Sequence, residues 1–286
     1  MATRVLIAFL ACGLVFMDAA FGDVPYQATP RSDENSRIAH QQLLEKKTRG
    51  KIDVYFLGDS ITRRWGTTDE RYRPLLENWR KNFYGWNAAN FGWGADGTQH
   101  MLWRLENGEL DGVNPKIIVL MAGTNNVGKE SPVGADDPRI ADTTRGIRTI
   151  VELCRKKAPA ATIIITGITP RNDNIAVMPI IDGINANLAR LADGRSIRYL
   201  DLNPQLADSN GKLFDGMTDP DQLHLALGAY QIWADALKPI FTELLGPPAK
   251  VDRAPLPTGD PSASAASHPQ PAHTPPGAPA ADPVRR

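Results

Sequence analysis

Two short motifs contain side chains that can act together in nucleophilic catalysis. Gly58-Asp59-Ser60 follows an apolar segment at residues 54–57, and a serine hydroxyl there can attack a carbonyl carbon. Asp221 precedes His224 by three residues, a spacing at which a carboxylate can face an imidazole and accept its Nδ1 proton. Nε2 of His224 is then free to take a proton from a serine. Acyl transfer to serine is the chemistry that these residue types indicate.

A third candidate is Asn125, in the Gly-Thr-Asn-Asn segment at residues 123–126. An uncharged amide can donate a hydrogen bond to the negative charge that develops on an attacked carbonyl. Each feature also has a structural explanation, because asparagine is common in turns and an aspartate before a histidine often caps a helix. The motifs therefore indicate catalysis only if the fold brings them together.

The rest of the chain predicts elements that place these motifs at one edge of a sheet. Apolar segments with β propensity occur at residues 52–57, 87–91, 116–121, 162–167 and 197–201, and helical patterns occur at 71–80, 98–106, 138–157, 179–192 and 228–245. Such alternation predicts an α/β fold with a parallel sheet covered on both faces. The segments 58–60, 92–96 and 123–126 then follow the carboxyl ends of three strands, where α/β proteins bind ligands.

Two glycine-rich segments superficially suggest nucleotide binding. Residues 92–97 match G-x-G-x-x-G, but no acidic residue closes the next strand to hold a ribose, and Asp111 lies before that strand. Residues 123–130 nearly match the phosphate-binding loop, but Glu130 stands where a hydroxyl must bind Mg²⁺ and would repel phosphate. Neither segment therefore predicts a nucleotide site.

In order and spacing, these motifs resemble those of the SGNH, or GDSL, hydrolases over roughly residues 50–245. The resemblance is closest to the branch of the platelet-activating-factor acetylhydrolase catalytic subunits, through segments 90–92, 98–100, 102–110 and 115–116. It implies a flavodoxin-like three-layer α/β/α fold with a five-stranded parallel sheet. It also implies ester hydrolysis through an acyl-enzyme, with no metal and no other cofactor.

The resemblance assigns a role to each matching residue. Ser60 is the nucleophile, His224 the general base and then acid, and Asp221 the residue that orients the imidazole. The oxyanion hole is the backbone N–H of Ser60, the side chain of Asn125 and one backbone N–H of the second turn. The family has a glycine directly before an aspartate there, whereas this chain has Ala95, with Gly94 one residue earlier. We therefore take Ala95 as the first candidate donor and Gly94 as the second, and a positive φ would strain Ala95.

Three neighbours of the candidate catalytic residues, Ile61, Thr124 and Leu223, are expected to line the acyl pocket. Their bulk favours a small acyl group, and the branch resemblance likewise points to acetyl esters. The alcohol part is left open between acetylated polysaccharide, lipid and other small esters. A secreted binding module that kept the fold and lost catalysis is the alternative function.

The composition and the N-terminal segment indicate where the protein is located and which partners are disfavoured. Lys plus Arg equals Asp plus Glu at 32 each, so no net field attracts nucleic acid. Arg4, an apolar run at 5–17 and Ala20-Phe21-Gly22 predict a signal peptide at 1–22 and a secreted or periplasmic protein, with an uncleaved anchor as the alternative. No other segment approaches the roughly 20 apolar residues of a membrane span.

The predicted organisation has four parts. The signal peptide is followed by an N-terminal extension at 23–50 with one helix, and the hydrolase domain spans 51–245. From residue 246 to 286 the composition is rich in Pro and Ala, which predicts a disordered tail because little apolar surface is available to offset the ordering entropy.

Overall fold

The computed structural model describes residues 23–262, so the predicted signal peptide and residues 263–286 lie outside the described part. The elements are α1 Glu34–Lys46, β1 Val54–Gly58, α2 Ser60–Trp65, α3 Arg73–Phe83, β2 Ala88–Asn90, α4 Thr98–Glu106, β3 Ile117–Met121, α5 Thr124–Val127, α6 Pro138–Lys157, β4 Thr162–Thr166, α7 Met178–Ala189, β5 Ile197–Leu200, α8 Asn203–Leu206 and α9 Leu227–Leu245, with 3₁₀ turns at Glu70–Tyr72 and Ile175–Val177. No helix within residues 23–262 is long and apolar enough to cross a membrane.

The five strands form one parallel sheet in the order β2-β1-β3-β4-β5, which confirms the predicted fold class. Side chains of β1 alternate between two core clusters: Tyr55 and Leu57 join one, Val54 and Phe56 the other. The first cluster lies under α1, α4, α6 and α7, and the second lies under α2, α3 and α9. Because both faces are covered, every residue of β1 is buried.

The short helix α2, which begins at Ser60, is anchored in the second cluster by Trp65. The Trp65 ring is fully buried, with its centroid 4.9 Å from that of Phe83. Its indole N–H donates to Asn78 Oδ1 at 2.9 Å, and the Tyr230 hydroxyl of α9 donates to the Ile61 carbonyl at 2.7 Å. Core packing therefore sets the position of the helix that carries the candidate nucleophile.

The segment that follows β2 is held by a buried charged network. Arg104 of α4 donates from Nε to Asp96 Oδ2 at 2.7 Å and from Nη1 to the Phe91 carbonyl at 3.0 Å. Arg104 also pairs with Glu109, whose Oε1 lies 2.8 Å from His40 Nδ1. These contacts fix the turn that contains the candidate oxyanion donors.

The prediction of a disordered tail from Gly246 onward is wrong for residues 246–262, which we call the C-terminal strap. Asp252 Oδ2 accepts the Gly85 N–H at 2.6 Å, and the Arg253 carbonyl accepts the Lys51 N–H at 2.7 Å. The strap ends near Asp260, whose backbone N–H donates to Asp69 at 2.7 Å. The strap lacks an apolar core of its own, but the domain's loops satisfy its polar groups, and these contacts offset the cost of ordering.

Candidate active site

Ser60 occupies the turn between β1 and α2, at the carboxyl edge of the sheet. Asp59 precedes the helix, and its Oδ1 accepts the Ile61 N–H at 2.9 Å, which caps the first turn. Ser60 itself is half-buried. This local structure presents the hydroxyl at the edge where ligands bind in parallel α/β sheets.

The three residues predicted to form a catalytic chain lie in direct contact. Ser60 Oγ is 2.8 Å from His224 Nε2, and His224 Nδ1 is 2.7 Å from Asp221 Oδ2. These distances are those of hydrogen bonds. A proton can pass from the hydroxyl to the imidazole while the carboxylate holds the opposite ring nitrogen.

Asp221 and His224 face each other across a tight loop and not along a helix, because α9 begins only at Leu227. Asp219 N–H donates to the His224 carbonyl at 2.8 Å and closes the loop. Gln222, between the two residues, has a φ of 60°, in the left-handed region that non-glycine residues rarely adopt. We call residues 219–224 the acid–base loop.

The charges in this loop favour an ionised carboxylate beside a neutral imidazole. Burial alone would raise the pKa of Asp221, but N–H groups of His224 and Leu223 and the His224 ring outweigh it and lower that pKa. Burial and the positive charge of Arg64 lower the pKa of His224, against the opposing effect of Asp221. At neutral pH the imidazole is therefore in the form that accepts a proton.

Sequence reasoning missed one residue of this site, Arg64. It is 8% exposed, and its guanidinium lies 2.9 Å from Asp219 Oδ2 and 3.3 Å from Asp221 Oδ2. Arg64 follows Ser60 by four residues on α2, so both side chains are on one helix face. The four-residue spacing from Ser60 was the available sequence signal for Arg64. No local pattern identified Asp219 and Asp221 as its partners.

The candidate oxyanion donors Gly94, Ala95 and Asn125 lie in the segments that follow β2 and β3, the two strands that flank β1. Asn125 Nδ2 donates to the Asp96 carbonyl at 2.9 Å, which uses one of its two N–H bonds and leaves the other for a ligand. Within residues 23–262 the backbone N–H groups of Gly94 and Ala95 have no acceptor. Ala95 has a φ of 61°, so the alanine adopts the strained conformation that its type disfavours.

Gly123 determines how the chain turns from β3 toward Asn125. Its φ is 119°, and a Cβ added there would lie 2.6 Å from Ile168 Cδ1 and 3.0 Å from Thr143 Cγ2. The backbone conformation therefore requires glycine, and a Cβ would in addition displace the end of the Ile168 side chain.

The three residues predicted to line an acyl pocket have different environments. Ile61 is 1% exposed and packs in the core cluster beneath α2. Thr124 is 3% exposed, and its carbonyl accepts Arg171 Nη1 at 3.2 Å. Leu223 is only half-buried. Of the three, Leu223 is accessible, whereas Ile61 and Thr124 are buried, and the pocket stays a prediction.

Comparison with known proteins matches a family over the same region. A model of the GDSL-like lipase/acylhydrolase family matches residues 56–232, which include the candidate site. Platelet-activating factor acetylhydrolase IB subunit alpha1 from Homo sapiens is 32% identical over 210 residues, covering 73% of this chain and 83% of that protein. Subunit alpha2 from Rattus norvegicus is 33% identical over 232 residues, covering 78% of this chain and 90% of that protein.

Solved structures share the fold at lower identity. A GDSL-like lipase from Bacteroides thetaiotaomicron aligns with a TM-score of 0.55 and 20% identity, covering 74% of this chain and 98% of that chain. A member of the lipolytic G-D-S-L family from Veillonella parvula aligns with a TM-score of 0.53 and 22% identity, covering 68% of this chain and 100% of that chain. These likenesses show the fold alone.

Proposed function

The chain belongs to the GDSL-like lipase/acylhydrolase family and is a carboxylic ester hydrolase, and from that premise we propose that it cleaves acetyl esters through Ser60, His224 and Asp221. The observation that carries the proposal is the hydrogen-bonded path from Ser60 Oγ through both His224 nitrogens to Asp221 Oδ2, at 2.8 and 2.7 Å. Packing alone does not explain why a hydroxyl, an imidazole and a carboxylate are hydrogen-bonded in this order.

In the proposed reaction Ser60 Oγ attacks the ester carbonyl carbon while His224 Nε2 takes the hydroxyl proton. The tetrahedral oxyanion accepts hydrogen bonds from the Ser60 N–H, the free Asn125 N–H and a backbone N–H at Ala95. Collapse of the intermediate breaks the bond to the alcohol oxygen, which receives the proton from His224. Water, deprotonated by His224, then attacks the acyl-serine, the bond to Ser60 Oγ breaks, and Oγ takes the proton back from His224 as the carboxylic acid leaves.

The acyl preference is supported by two independent observations. Leu223 directly precedes the proposed base in the chain and is accessible, so its bulky side chain can border the acyl group and favour a small one. The mammalian relatives carry the name acetylhydrolase. We propose that the alcohol part of the ester is a carbohydrate or a lipid that carries the acetyl group.

We also propose that the protein is exported. The apolar run at 5–17 and the small-x-small site at 20–22, which lie outside the described residues, support this location.

A fluorophosphonate probe tests the nucleophile, because it phosphonylates an activated serine. We expect labelling of the wild-type protein at Ser60 and none in Ser60→Ala, with kcat on 4-nitrophenyl acetate falling by several orders of magnitude. Ester turnover retained by Ser60→Ala would overturn the proposal.

The substrate is tested separately with 4-nitrophenyl esters from acetate to octanoate, followed by acetylated xylan, pectin, chitooligosaccharide and short lipid esters. Activity that rises with acyl length would refute the acetyl preference. Mass spectrometry of the N-terminus of protein recovered from the producing cells tests removal of residues 1–22.

A further inference from the structure

We propose that Arg64 is a positioning residue of this esterase, which clamps the acid–base loop to the nucleophile helix and places a permanent positive charge behind Asp221. The inference rests on the function proposed for Ser60, His224 and Asp221. It assigns to Arg64 an effect on the base that neither the motif nor the family match specifies.

The clamp is a buried guanidinium shared by two carboxylates. Arg64 Nη1 lies 2.9 Å from Asp219 Oδ2, and Arg64 Nη2 lies 3.3 Å from Asp221 Oδ2. The guanidinium also stacks on the Tyr72 ring, with its central carbon 5.0 Å from the centroid. A planar fork with several donors suits this bridging, and a flexible ammonium does not reproduce it.

The acid–base loop is joined to the rest of the domain by a small set of hydrogen bonds and ion pairs among residues 23–262. The Gln222 carbonyl accepts the N–H groups of Asn172 and Asp173, at 2.8 and 3.0 Å. Gln222 itself holds a left-handed conformation, which the surroundings must impose. Arg64 adds two ion-pair contacts from α2, the helix that also joins the loop through the Ser60–His224 hydrogen bond.

The neighbouring Arg63 shows that the contact with the acid–base loop is specific to Arg64. Arg63 has different partners: it lies 2.7 Å from Asp69 Oδ2, 3.4 Å from Asp260 Oδ2 and 4.8 Å from the Trp93 ring centroid. Arg63 therefore joins α2 to the C-terminal strap. Both arginines anchor the nucleophile helix, and in the described part of the chain Arg64, not Arg63, contacts Asp219 and Asp221.

Charge gives Arg64 a second effect. A fixed positive charge disfavours an imidazolium, whereas the negative charges of Asp221 and Asp219 favour it. Without Arg64 the repulsion is lost and both carboxylates are left less neutralised, so both changes raise the pKa of His224. Charged or titratable groups around Arg64 and the acid–base loop come from five elements: Arg64 on α2, Asp219 and Asp221 on the loop, the Arg171–Asp173 pair after β4, Tyr72 in the 3₁₀ turn and Tyr230 on α9.

The test compares pH profiles of kcat/KM on an acetate ester for Arg64→Gln, Arg64→Lys and Asp219→Asn. In Arg64→Gln the acid limb moves to higher pH and kcat falls between about tenfold and 10²-fold with KM nearly unchanged, because misplacement affects the reacting groups more than binding. Arg64→Lys keeps the charge and shows a smaller shift. Asp219→Asn shifts the acid limb the other way, since a negative charge near His224 is removed.

Arg71→Gln is the matched control. Arg71 is exposed and stacks on the same Tyr72 ring, with its central carbon 4.4 Å from the centroid, but it contacts neither Asp219 nor Asp221 in the described part of the chain. Removal of this arginine leaves the acid limb in place. An equal shift in Arg71→Gln would mean that any nearby positive charge suffices, and the positioning proposal would be wrong.

A readout that does not need turnover separates this inference from the proposed function. The His224 ring resonances are titrated by NMR in the Ser60→Ala background, with and without Arg64→Gln. A higher His224 pKa in the double variant supports the charge effect even if the enzyme proves inactive on acetate. An unchanged or lower pKa overturns it even if Ser60 proves to be the nucleophile, and Asp219→Asn gives the opposite-sign check should Arg64→Gln fail to fold.

Discussion

Asp221 contacts His224 at two places: its Oδ1 accepts the backbone N–H of His224 at 2.9 Å, and its Oδ2 lies 2.7 Å from the ring Nδ1. One carboxylate therefore fixes both the backbone and the imidazole of the same residue. This geometry favours the tautomer with a proton on Nδ1 and leaves Nε2 facing Ser60. The orientation of the proposed base is thus a property of a six-residue loop rather than of α9.

Asp221→Asn should lower kcat by about 10²–10⁴, because an amide N–H facing Nδ1 selects the other imidazole tautomer. The asparagine Oδ1 can still accept the backbone N–H of His224, so the loop should keep its shape. Steady-state kinetics on an acetate ester measure the effect. Asp215→Asn, at an exposed carboxylate of the preceding turn, is the control. Equal kcat in the two variants would contradict the orienting role.

Asn125→Ala should lower kcat by about 10²–10³, the usual effect of removing one oxyanion donor, with little change in KM. The control is Asn126→Ala, since Asn126 Oδ1 accepts the Thr98 N–H at the start of α4, at 2.9 Å. That change should reduce thermal stability more than kcat. An Asn125→Ala enzyme with nearly full kcat would exclude this side chain from the oxyanion hole.

Ala95→Gly and Ala95→Val should change stability in opposite directions, because Ala95 has a φ of 61°. Glycine relieves a strain of about 1 kcal/mol, partly offset by the greater entropy of its unfolded chain. Valine, which is β-branched, should destabilise the protein by more than about 1 kcal/mol. Urea unfolding measures both. If Ala95→Gly also raises kcat severalfold, the alanine weakens a donor that the site tolerates.

The stability of Asp59→Asn relative to the wild type should increase as pH rises. Asp59 is 1% exposed, Oδ2 has no partner among residues 23–262, and burial raises its pKa from 3.8 to about 7. The native state therefore keeps this proton to a higher pH than the unfolded chain, so the wild type loses stability between about pH 4 and pH 7. Asparagine has no such loss. Thermal unfolding at pH 5 and pH 8 tests this, and a difference between variant and wild type that is independent of pH would refute it.

Ending the chain after Gly246 should lower stability by at least about 2 kcal/mol, or roughly 4–8 °C in Tm, because several strap hydrogen bonds are lost. These include the bonds from Gly85 to Asp252 and from Asp260 to Asp69. A chain ended after Ser262 keeps every described contact and should match the full chain in calorimetry. Equal Tm values for both truncations would show that the strap adds no stability.

Local patterns were sufficient for the sheet and the long helices. The helices predicted at 98–106 and 138–157 have those bounds in the structure, and Pro138 at the first helical position is a local signal of the helix start. The strand ends differ by at most two residues, since the last paired residue of a strand depends on its neighbouring strands. The strap was missed because its order comes from partners elsewhere in the chain and not from its own composition.

By itself, the sequence determined the residue types, the apolar alternation and the glycine-rich strand ends, because these are local properties of neighbouring positions. Only the tertiary structure decided which groups meet Ser60. His224 is 164 positions from Ser60 in the chain. Arg64 and Asp221, which both affect the charge of His224, are 157 positions apart. The order of the strands and the packing of α2 against α9 close those distances, and no local pattern contains that information.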